Sequence, residues 1–467
     1  MTAVTTDATA AHEAAVQRLL DSYRAIPRGA TVRLAKPTSN LFRARTRTKT
    51  KGLDVSGLDG VLTVDTESRT ADVQGMCTYE TLVAATLPFG LAPLVVPQLK
   101  TITVGGAVTG LGIESTSFRN GLPHESVLEL DILTGAGELV TASRDQHSDL
   151  FHAFPNSYGT LGYSVRLRIE LEPVRPFVKL RHLRFHRVAD LVDTLQRILD
   201  TGGYFDGYAA VPVDYLDGVV FGPDESYLCL GMKTGTDGPV SDYTGQHIFY
   251  RSIQHDSGEQ HDRLTTQDYL WRWDTDWFWC SEAFGAQRPL IRRLWPRRYR
   301  RSSVYWKLVG LDQRFHIADR IERRSLLAPR QPLRERVVQD VEVPVERVTD
   351  FVEWFLARVP ITPIWLCPLR LRGDTRWPLY PIQPHRSYVN LGFWSSVPAG
   401  RVAGETNRLI EHKVDECGGH KSLYSESFYS PEDFDRRYGG AEYRKVKEVY
   451  DPESRLLGLY AKAVQRQ

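Results

Sequence analysis

The chain has 467 residues, a formal net charge of +2 and 25% charged residues, so its bulk electrostatics mark it for neither nucleic acid nor an acidic polymer. Its 42% apolar content is that of an ordinary globular protein, with room for about two to three domains. Five cysteines, at 77, 229, 280, 367 and 417, form no CxxC pair, which argues against a metal site or disulfide framework and for buried, reduced thiols.

No basic-then-apolar leader opens the chain, and no run reaches the ~18 apolar residues of a membrane span. The expected location is the cytoplasm, with docking on the inner face of the plasma membrane as an option. Residues 11–26 predict an amphipathic helix, with Val16, Leu19, Leu20 and Tyr23 at helical spacing and Pro27 just past its end. TVRLAK (31–36) predicts a strand running into the loop PTSNL. Residues 60–75 predict strand, turn, strand. TYETLVAATLPFG predicts a helix begun at Thr78 or Tyr79 and stopped by Gly90. After a glycine-rich stretch, 126–143 predicts a hairpin around Gly135-Ala136-Gly137. HSDLFHAF predicts a short helix, and 159–174 a long strand. No βαβαβ alternation appears, against a Rossmann domain.

From residue 178 a second pattern begins: strand, the helix VADLVDTLQRILDTGG, then YFDGYAAVPV and VVFGPDESYLCLGM as strands. VVQDVEVPV (337–345), RVTDFVEWFLARV, TPIWLCPLRL, SYVNLGFWS, TNRLIEHKVDECGG and HKSLYSES read as strand, helix, strand, strand, helix and strand. Two β-α-β-β units imply one antiparallel sheet with helices on one face. Between them lies an insert, 265–301, rich in Trp and Arg. The last stretch, from Gly439, predicts a turn and a short helix.

The stretch PQLKTITVGGAVTGLGIES (97–115) carries the chemistry. Gly105, Gly106, Gly110 and Gly112 strip side chains from what reads as a loop after a helix, where main-chain N–H groups could cradle a pyrophosphate or flat ring. A tight loop without a ligand is the competing reading. TVRLAKPTSN and the turn at Gly159 and Gly162 add two more bare loops, which suggests an extended cofactor threaded among three.

PQLKTITVGGAVTGLGIESTSFRNGL and HSDLFHAFPNSYGTLGYSVRLRIELEPVRPFVKL, with VVQDVEVPV and PIWLCP, resemble the vanillyl-alcohol-oxidase (PCMH-type) FAD-binding superfamily. Within it the chain is similar to the Δ24-sterol reductase group, and more closely resembles the actinobacterial flavoproteins that reduce a 10-methylene fatty acyl chain to 10-methyl in tuberculostearic acid synthesis. The resemblance implies an α+β fold, with a two-subdomain PCMH-type FAD-binding domain and an antiparallel-sheet substrate (cap) domain. The expected division is an N-terminal helix (1–29), the FAD domain (30–176), the cap domain (177–438) holding the insert, and a C-terminal segment (439–467) returning to the FAD domain. The FAD contacts it implies are Lys36, Pro37, Thr38, Ser39 and Asn40 in the first loop, and Thr103, Val104, Gly105, Gly106, Thr109, Gly110, Gly112, Ile113, Glu114 and Ser115 in the second. Gly159, Thr160, Gly162 and Val165 complete the set. Many relatives attach flavin through a His in the first loop; LAKPTSN has none, so the FAD is expected to be non-covalent. NADPH is implied as the reductant, and a lipid methyltransferase as supplier of the substrate.

An isolated alkene has no carbonyl to polarise it, so the implied reaction needs an acid. Protonation of a Δ24-sterol or 10-methylene alkene gives a tertiary cation that a flavin hydride can quench. The candidate proton donors are Glu114, Asp340, Glu342, His385 and Tyr388; Asp340 and Glu342 alternate with valines and so share one strand face. A salt bridge or solvent-facing charge is the competing reading for each. The insert carries Trp271, Trp273, Trp277 and Trp279, then Arg288, Arg292, Arg293, Arg297, Arg298, Arg300 and Arg301 among Leu290, Ile291, Leu294 and Trp295. It reads either as a dock for an anionic membrane surface or as an aromatic lid with a basic rim. An alcohol or sugar oxidase on the same fold, and a non-catalytic flavin-binding partner of the methyltransferase, are the alternatives to lipid alkene reduction.

Overall fold

A computed structural model of the protein describes residues 6–35, 52–243, 248–274, 289–315 and 333–465. The first expected cofactor loop, residues 36–40, and the insert's Trp277, Trp279 and Arg288 lie outside the described residues.

The N-terminal helix α1 (Thr6–Arg24) buries Ala15, Leu19 and Tyr23 against Leu133, Val165 and Leu456. The expected strand at 31–36 is reduced to a single bridge, Leu34 to Leu53. Strands β1 (Val61–Asp65) and β2 (Thr70–Gln74) pair as expected, and α2 (Tyr79–Thr86) starts where the Thr78 hydroxyl accepts from the Thr81 N–H. After β3 (Leu91–Pro93) the glycine-rich stretch forms the helix α3 (Val104–Gly110), capped by the Thr103 hydroxyl, rather than a loop. A short turn of helix, α4 (Ser117–Asn120), precedes the hairpin β4 (Val127–Leu133) and β5 (Leu139–Ser143). Then come α5 (Ser148–Ala153) and the long strand β6 (Tyr163–Pro173). These strands form a six-stranded sheet in the order β1-β2-β6-β4-β5, with β3 also on β6.

The second sheet begins at β7 (Phe177–Phe185), followed by α6 (Val188–Thr201). YFDGYAAVPV yields a separate small hairpin, β8 (Gly203–Phe205) and β9 (Ala210–Pro212). Strands β10 (Tyr215–Gly222) and β11 (Glu225–Thr234), helix α7 (Phe249–Ile253) and strand β12 (Glu259–Thr265) lead into the insert, which carries α8 (Thr266–Leu270) and α9 (Pro289–Leu294); α10 (Ser302–Phe315) follows it. Strand β13 (Arg334–Pro344), helix α11 (Val348–Arg358), strands β14 (Ile364–Leu369) and β15 (Tyr388–Pro398) and helix α12 (Glu405–Glu416) follow the predicted order. HKSLYSES contributes only the two-residue β16 (His420–Lys421). The resulting eight-stranded sheet, β12-β7-β11-β10-β14-β15-β13-β16, is antiparallel throughout.

Alternation along β13 sets the two faces of that sheet. Val337, Val341 and Val343 join a core with Leu191, Leu195, Phe351, Phe355 and Ile410 of α6, α11 and α12, so these three longer helices lie on one face. Asp340 and Glu342 point to the other face. The C-terminal helices α13 (Pro431–Arg437), α14 (Gly440–Tyr450) and α15 (Leu459–Ala463) return to the first sheet. There the Lys447 ammonium donates to the Thr160 carbonyl at 3.0 Å and the Tyr450 hydroxyl to Asp149 at 2.9 Å.

Candidate active site

The glycines of α3 serve the fold before any ligand. A Cβ at Gly105 would lie 2.6 Å from the Gly75 carbonyl oxygen and 2.2 Å from Ser164 Oγ, so only glycine lets the helix sit this close to β6. The Val104, Gly105 and Gly106 N–H groups are committed to Cys77 O, Gly75 O and the Thr103 hydroxyl. This corrects the expectation that the amides at 104–106 are offered to a ligand. The open amides come next. Leu111 caps α3 with φ at 65°, a conformation that a non-glycine residue holds only when its surroundings enforce it. Among the described residues, no main-chain acceptor takes the N–H of Leu111, Gly112 or Ile113. Three successive amides of this kind make an anion- or ring-binding concavity.

The third loop braces this one. Tyr158, with φ at 51°, donates its hydroxyl to Gly110 O at 2.8 Å and its N–H to Thr109 O at 2.8 Å. Beside it, Asn156 Oδ1 and Ser157 Oγ are buried without a partner among the described residues. Gly159 and Gly162 both have positive φ; Thr160 is buried and donates to Ser157 O, and Val165 O accepts from the Gly75 N–H. Unpartnered buried polar atoms around a bare amide run are what a polar, flat cofactor would satisfy, so these residues fit the expected flavin nucleotide.

The loop docks on the opposite face of the second sheet, where α7 and α8 also pack. Leu216 N–H donates to Ser115 O at 2.7 Å, and Ile113 packs into the core shared with Val219, Cys229, Trp365 and Cys367. Glu114 is fully buried: its Oε1 accepts from Arg272 at 2.7 Å and from the Ser115 N–H at 2.8 Å, while Oε2 has no partner among the described residues. Burial pushes the Glu114 carboxyl above its ordinary range, Arg272 pulls it down, and Asp217 adds to the rise. A carboxyl whose nearest neighbour is a guanidinium is a poor proton donor.

Further across the same face, Glu342 stands opposite Asn390, which stands opposite Cys367, and Asp340 stands opposite Gly392, which stands opposite Trp365. A Cβ at Gly392 would fall 2.5 Å from Asp340 Oδ1 and 2.4 Å from the Trp394 ring, so the glycine lets both side chains lie over the strand. Asn390 Nδ2 donates to Asp340 at 3.2 Å, and Trp394 Nε1 donates to the Tyr424 hydroxyl at 2.8 Å. Burial raises Asp340 to about 7, while its hydrogen bonds with Asn390 and Tyr424 oppose the rise; no cation is among the groups acting on it. Glu342 is pushed well above its ordinary range, first by burial and also by Asp340, against the hydrogen bond from Ser422 at 2.8 Å. Burial raises the Cys367 thiol, with Glu114, Asp217 and Asp340 adding to the rise and Arg272 opposing it.

Two candidates fall elsewhere. His385 is exposed and pairs with Asp374 at 2.5 Å. Tyr388 is buried in the first core, its hydroxyl accepting from the Gln383 N–H at 3.2 Å. Sequence reasoning missed Arg272, Asp217, Asn390 and Tyr424. The available signal was a polar residue inside an apolar strand: Asp217 in YLDGVVF and Asn390 in YVNLGF.

Residues 7–143 match the family described as FAD binding domain. The Δ24-sterol reductase of Arabidopsis thaliana is 26% identical over 447 residues, covering 88% of this chain and 76% of that protein. The Δ24-sterol reductase of Homo sapiens is 24% identical over 413 residues, covering 86% and 75%. Cytokinin dehydrogenase 7 of Oryza sativa subsp. japonica is 36% identical over 149 residues, 32% of this chain and 28% of that protein.

Proposed function

We propose that the chain, an FAD-dependent oxidoreductase of the PCMH-type fold, reduces an isolated carbon–carbon double bond in a long-chain lipid, converting a 10-methylene fatty acyl group to 10-methyl. Asp340 carries this reading: a half-buried carboxyl raised to about 7 with no cation acting on it, across Gly392 from Trp365 and sharing the space over Gly392 with Trp394, on the face that meets the cofactor loop. It delivers its proton to the less substituted alkene carbon, which leaves a tertiary cation. When bound and reduced by NADPH, FAD would supply the hydride that completes the C–H bond. Asp340 then regains a proton from solvent, so each turnover consumes one NADPH and one proton. Trp365 and Trp394 give the cation an apolar, π-rich wall, where water would otherwise trap it. Leu111 to Ile113 hold the nucleotide, and Tyr158 holds that loop.

The likeness to Δ24-sterol reductases supports this chemistry, because a sterol Δ24 alkene gives the same kind of tertiary cation. It also supports a second reading, a sterol side-chain alkene as substrate. The test is anaerobic reduction of the purified yellow protein with NADPH, then addition of 10-methylene acyl lipid or a Δ24 sterol in separate vessels, followed by mass analysis. A gain of two hydrogens in the acyl lipid is expected. A gain in the sterol alone moves the assignment to the second reading; bleaching of the flavin by an alcohol instead of NADPH makes the protein an alcohol oxidase; no bleaching by either leaves a binding protein. A methyltransferase that installs the methylene is the proposed upstream partner.

A long-chain substrate suits a protein on a lipid surface, and we place the docking surface on α9. There Leu290 and Leu294 are 70% and 74% exposed one turn apart, beside exposed Arg293 and Arg298. Trp271 and Trp273 do not share that role, because both are buried.

A further inference from the structure

We propose that Arg272 is a positioning residue for the cofactor: held between Glu114 and Asp217, it fixes the loop 111–115 on the eight-stranded sheet and makes flavin affinity depend on the segment that follows α8. The guanidinium side chain is 1% exposed. It donates to Glu114 at 2.7 Å, to Asp217 at 2.8 Å and to Tyr269 O at 3.0 Å, and lies 4.1 Å from the Tyr269 ring centre. Two carboxylates for one cation is an unfavourable ratio in a dry site, and a buried pair of this kind adds little net stability over well-packed apolar residues. What the arrangement does supply is location. Glu114 directly follows the three open amides, and the oxygen that Arg272 holds also accepts from the Ser115 N–H. Ser115 Oγ meets the Tyr269 hydroxyl at 3.0 Å, and Ser115 O takes the Leu216 N–H. The side chains of Glu114 and Ser115 and the Ser115 carbonyl are thus all held by β10 or by residues 269–272.

The same segment also reaches the chain that enters α3. Asp274 accepts from the Lys100 N–H at 2.9 Å, three residues before the α3 cap, and from the Ser302 N–H at 3.2 Å. Leu111's positive φ needs such bracing from both directions; Tyr158 provides it at Gly110, and Arg272 at Glu114. The inference rests on the loop 111–113 as the flavin contact.

The experiment compares purified Arg272→Met, Arg272→Lys and a control, Lys421→Met. Lys421 is equally buried and paired with Glu411 at 2.6 Å, on the far edge strand. FAD dissociation is followed by flavin fluorescence, together with the visible flavin spectrum and the melting temperature. Arg272→Met is expected to raise the FAD dissociation constant about tenfold or more and to shift the visible band, with part of the affinity restored in Arg272→Lys. Lys421→Met is expected to lower the melting temperature without changing either flavin readout. Wild-type affinity and spectrum in Arg272→Met overturn the proposal, as does an equal loss in Lys421→Met. If Arg272→Met does not fold, Asp217→Asn, which leaves Arg272 on Glu114, is expected to weaken FAD binding roughly threefold; an unchanged constant overturns the proposal equally. A wild-type protein that takes up no FAD at all sinks the cofactor assignment instead.

Discussion

Asp340 shows how a single half-buried, desolvated carboxyl ties stability to chemistry. It titrates near 7 in the fold and near 3.9 in an unfolded chain, so between those values the folded protein keeps a proton that the unfolded chain releases. Stability on this account is highest below about pH 4 and falls as pH rises to about 7; above that the fold carries a desolvated carboxylate at a cost on the order of 4 kcal/mol. Asn390 and Tyr424, which restrain the carboxyl, can bond an amide as well. Asp340→Asn is therefore expected to melt above the wild type by a margin that grows between pH 5 and pH 8; calorimetry at matched flavin content checks this, and a margin that shrinks with pH removes Asp340 as the raised group. In turnover the sign reverses for the variant. Alkene reduction should drop roughly 10²- to 10⁴-fold, the range of a lost general acid, while NADPH still bleaches the flavin. In the wild type the rate should fall as pH rises through about 7, and that limb should vanish in Asp340→Asn. Stopped-flow bleaching and product mass analysis separate the two half-reactions.

Helix α3 shows at the scale of an element how Gly105 answers to packing while Gly112 lies in the run of open amides that follows. Gly105 is required by the approach of α3 to Gly75 and Ser164, where an added methyl meets a main-chain oxygen that cannot yield. Gly105→Ala is expected to destabilise the protein by roughly 1–3 kcal/mol, the cost of overpacking, with flavin lost in step as α3 shifts; a variant that keeps wild-type stability in urea contradicts the packing account. Sequence period was enough for the hairpin at 126–143, for helices with sharp apolar stripes such as α6, and for the strand face shared by Asp340 and Glu342. It was not enough for 31–36 or 420–427, where alternation is present but only a bridge or a two-residue strand finds a partner. Strand pairing is decided by what lies alongside, which local pattern does not carry. The same limit applies to the site. Glu114, Asp340 and Glu342 could be named from their neighbours in sequence, but Arg272, 158 residues from Glu114, could be joined to it only by the fold.

At the scale of the whole molecule the two sheets are stitched together around the site. Arg372 bridges to Glu170 at 2.6 Å, Arg119 to Glu172 at 2.8 Å, and Leu216 and Arg370 donate main-chain N–H groups to Ser115 and Ser117. The insert is anchored to the same body: Arg301 reaches Glu80 of α2 at 2.7 Å, Asp274 takes the Ser302 N–H, and Arg300 turns back to donate to the carbonyls of Arg292 and Trp295. The arginines of the insert thus divide. Arg300 and Arg301 hold α9 in place, while Arg293 and Arg298 stay exposed next to Leu290 and Leu294, with no acidic residue between 289 and 301. A surface of this kind should bind an anionic bilayer through two additive contributions. Each exposed arginine is worth about 1 kcal/mol near a negative surface and is screened as salt rises; the leucines contribute by burial and are not screened. Co-sedimentation is therefore expected with phosphatidylglycerol-rich vesicles over pure phosphatidylcholine, and partitioning should decline between 50 and ~500 mM NaCl without vanishing. Arg293→Glu with Arg298→Glu should abolish the salt dependence, whereas Leu290→Ser with Leu294→Ser should lower binding at every salt concentration and leave the slope intact. Equal binding to both vesicle types, or variants indistinguishable from wild type, would show that α9 faces solvent or another protein and would overturn the lipid-docking reading.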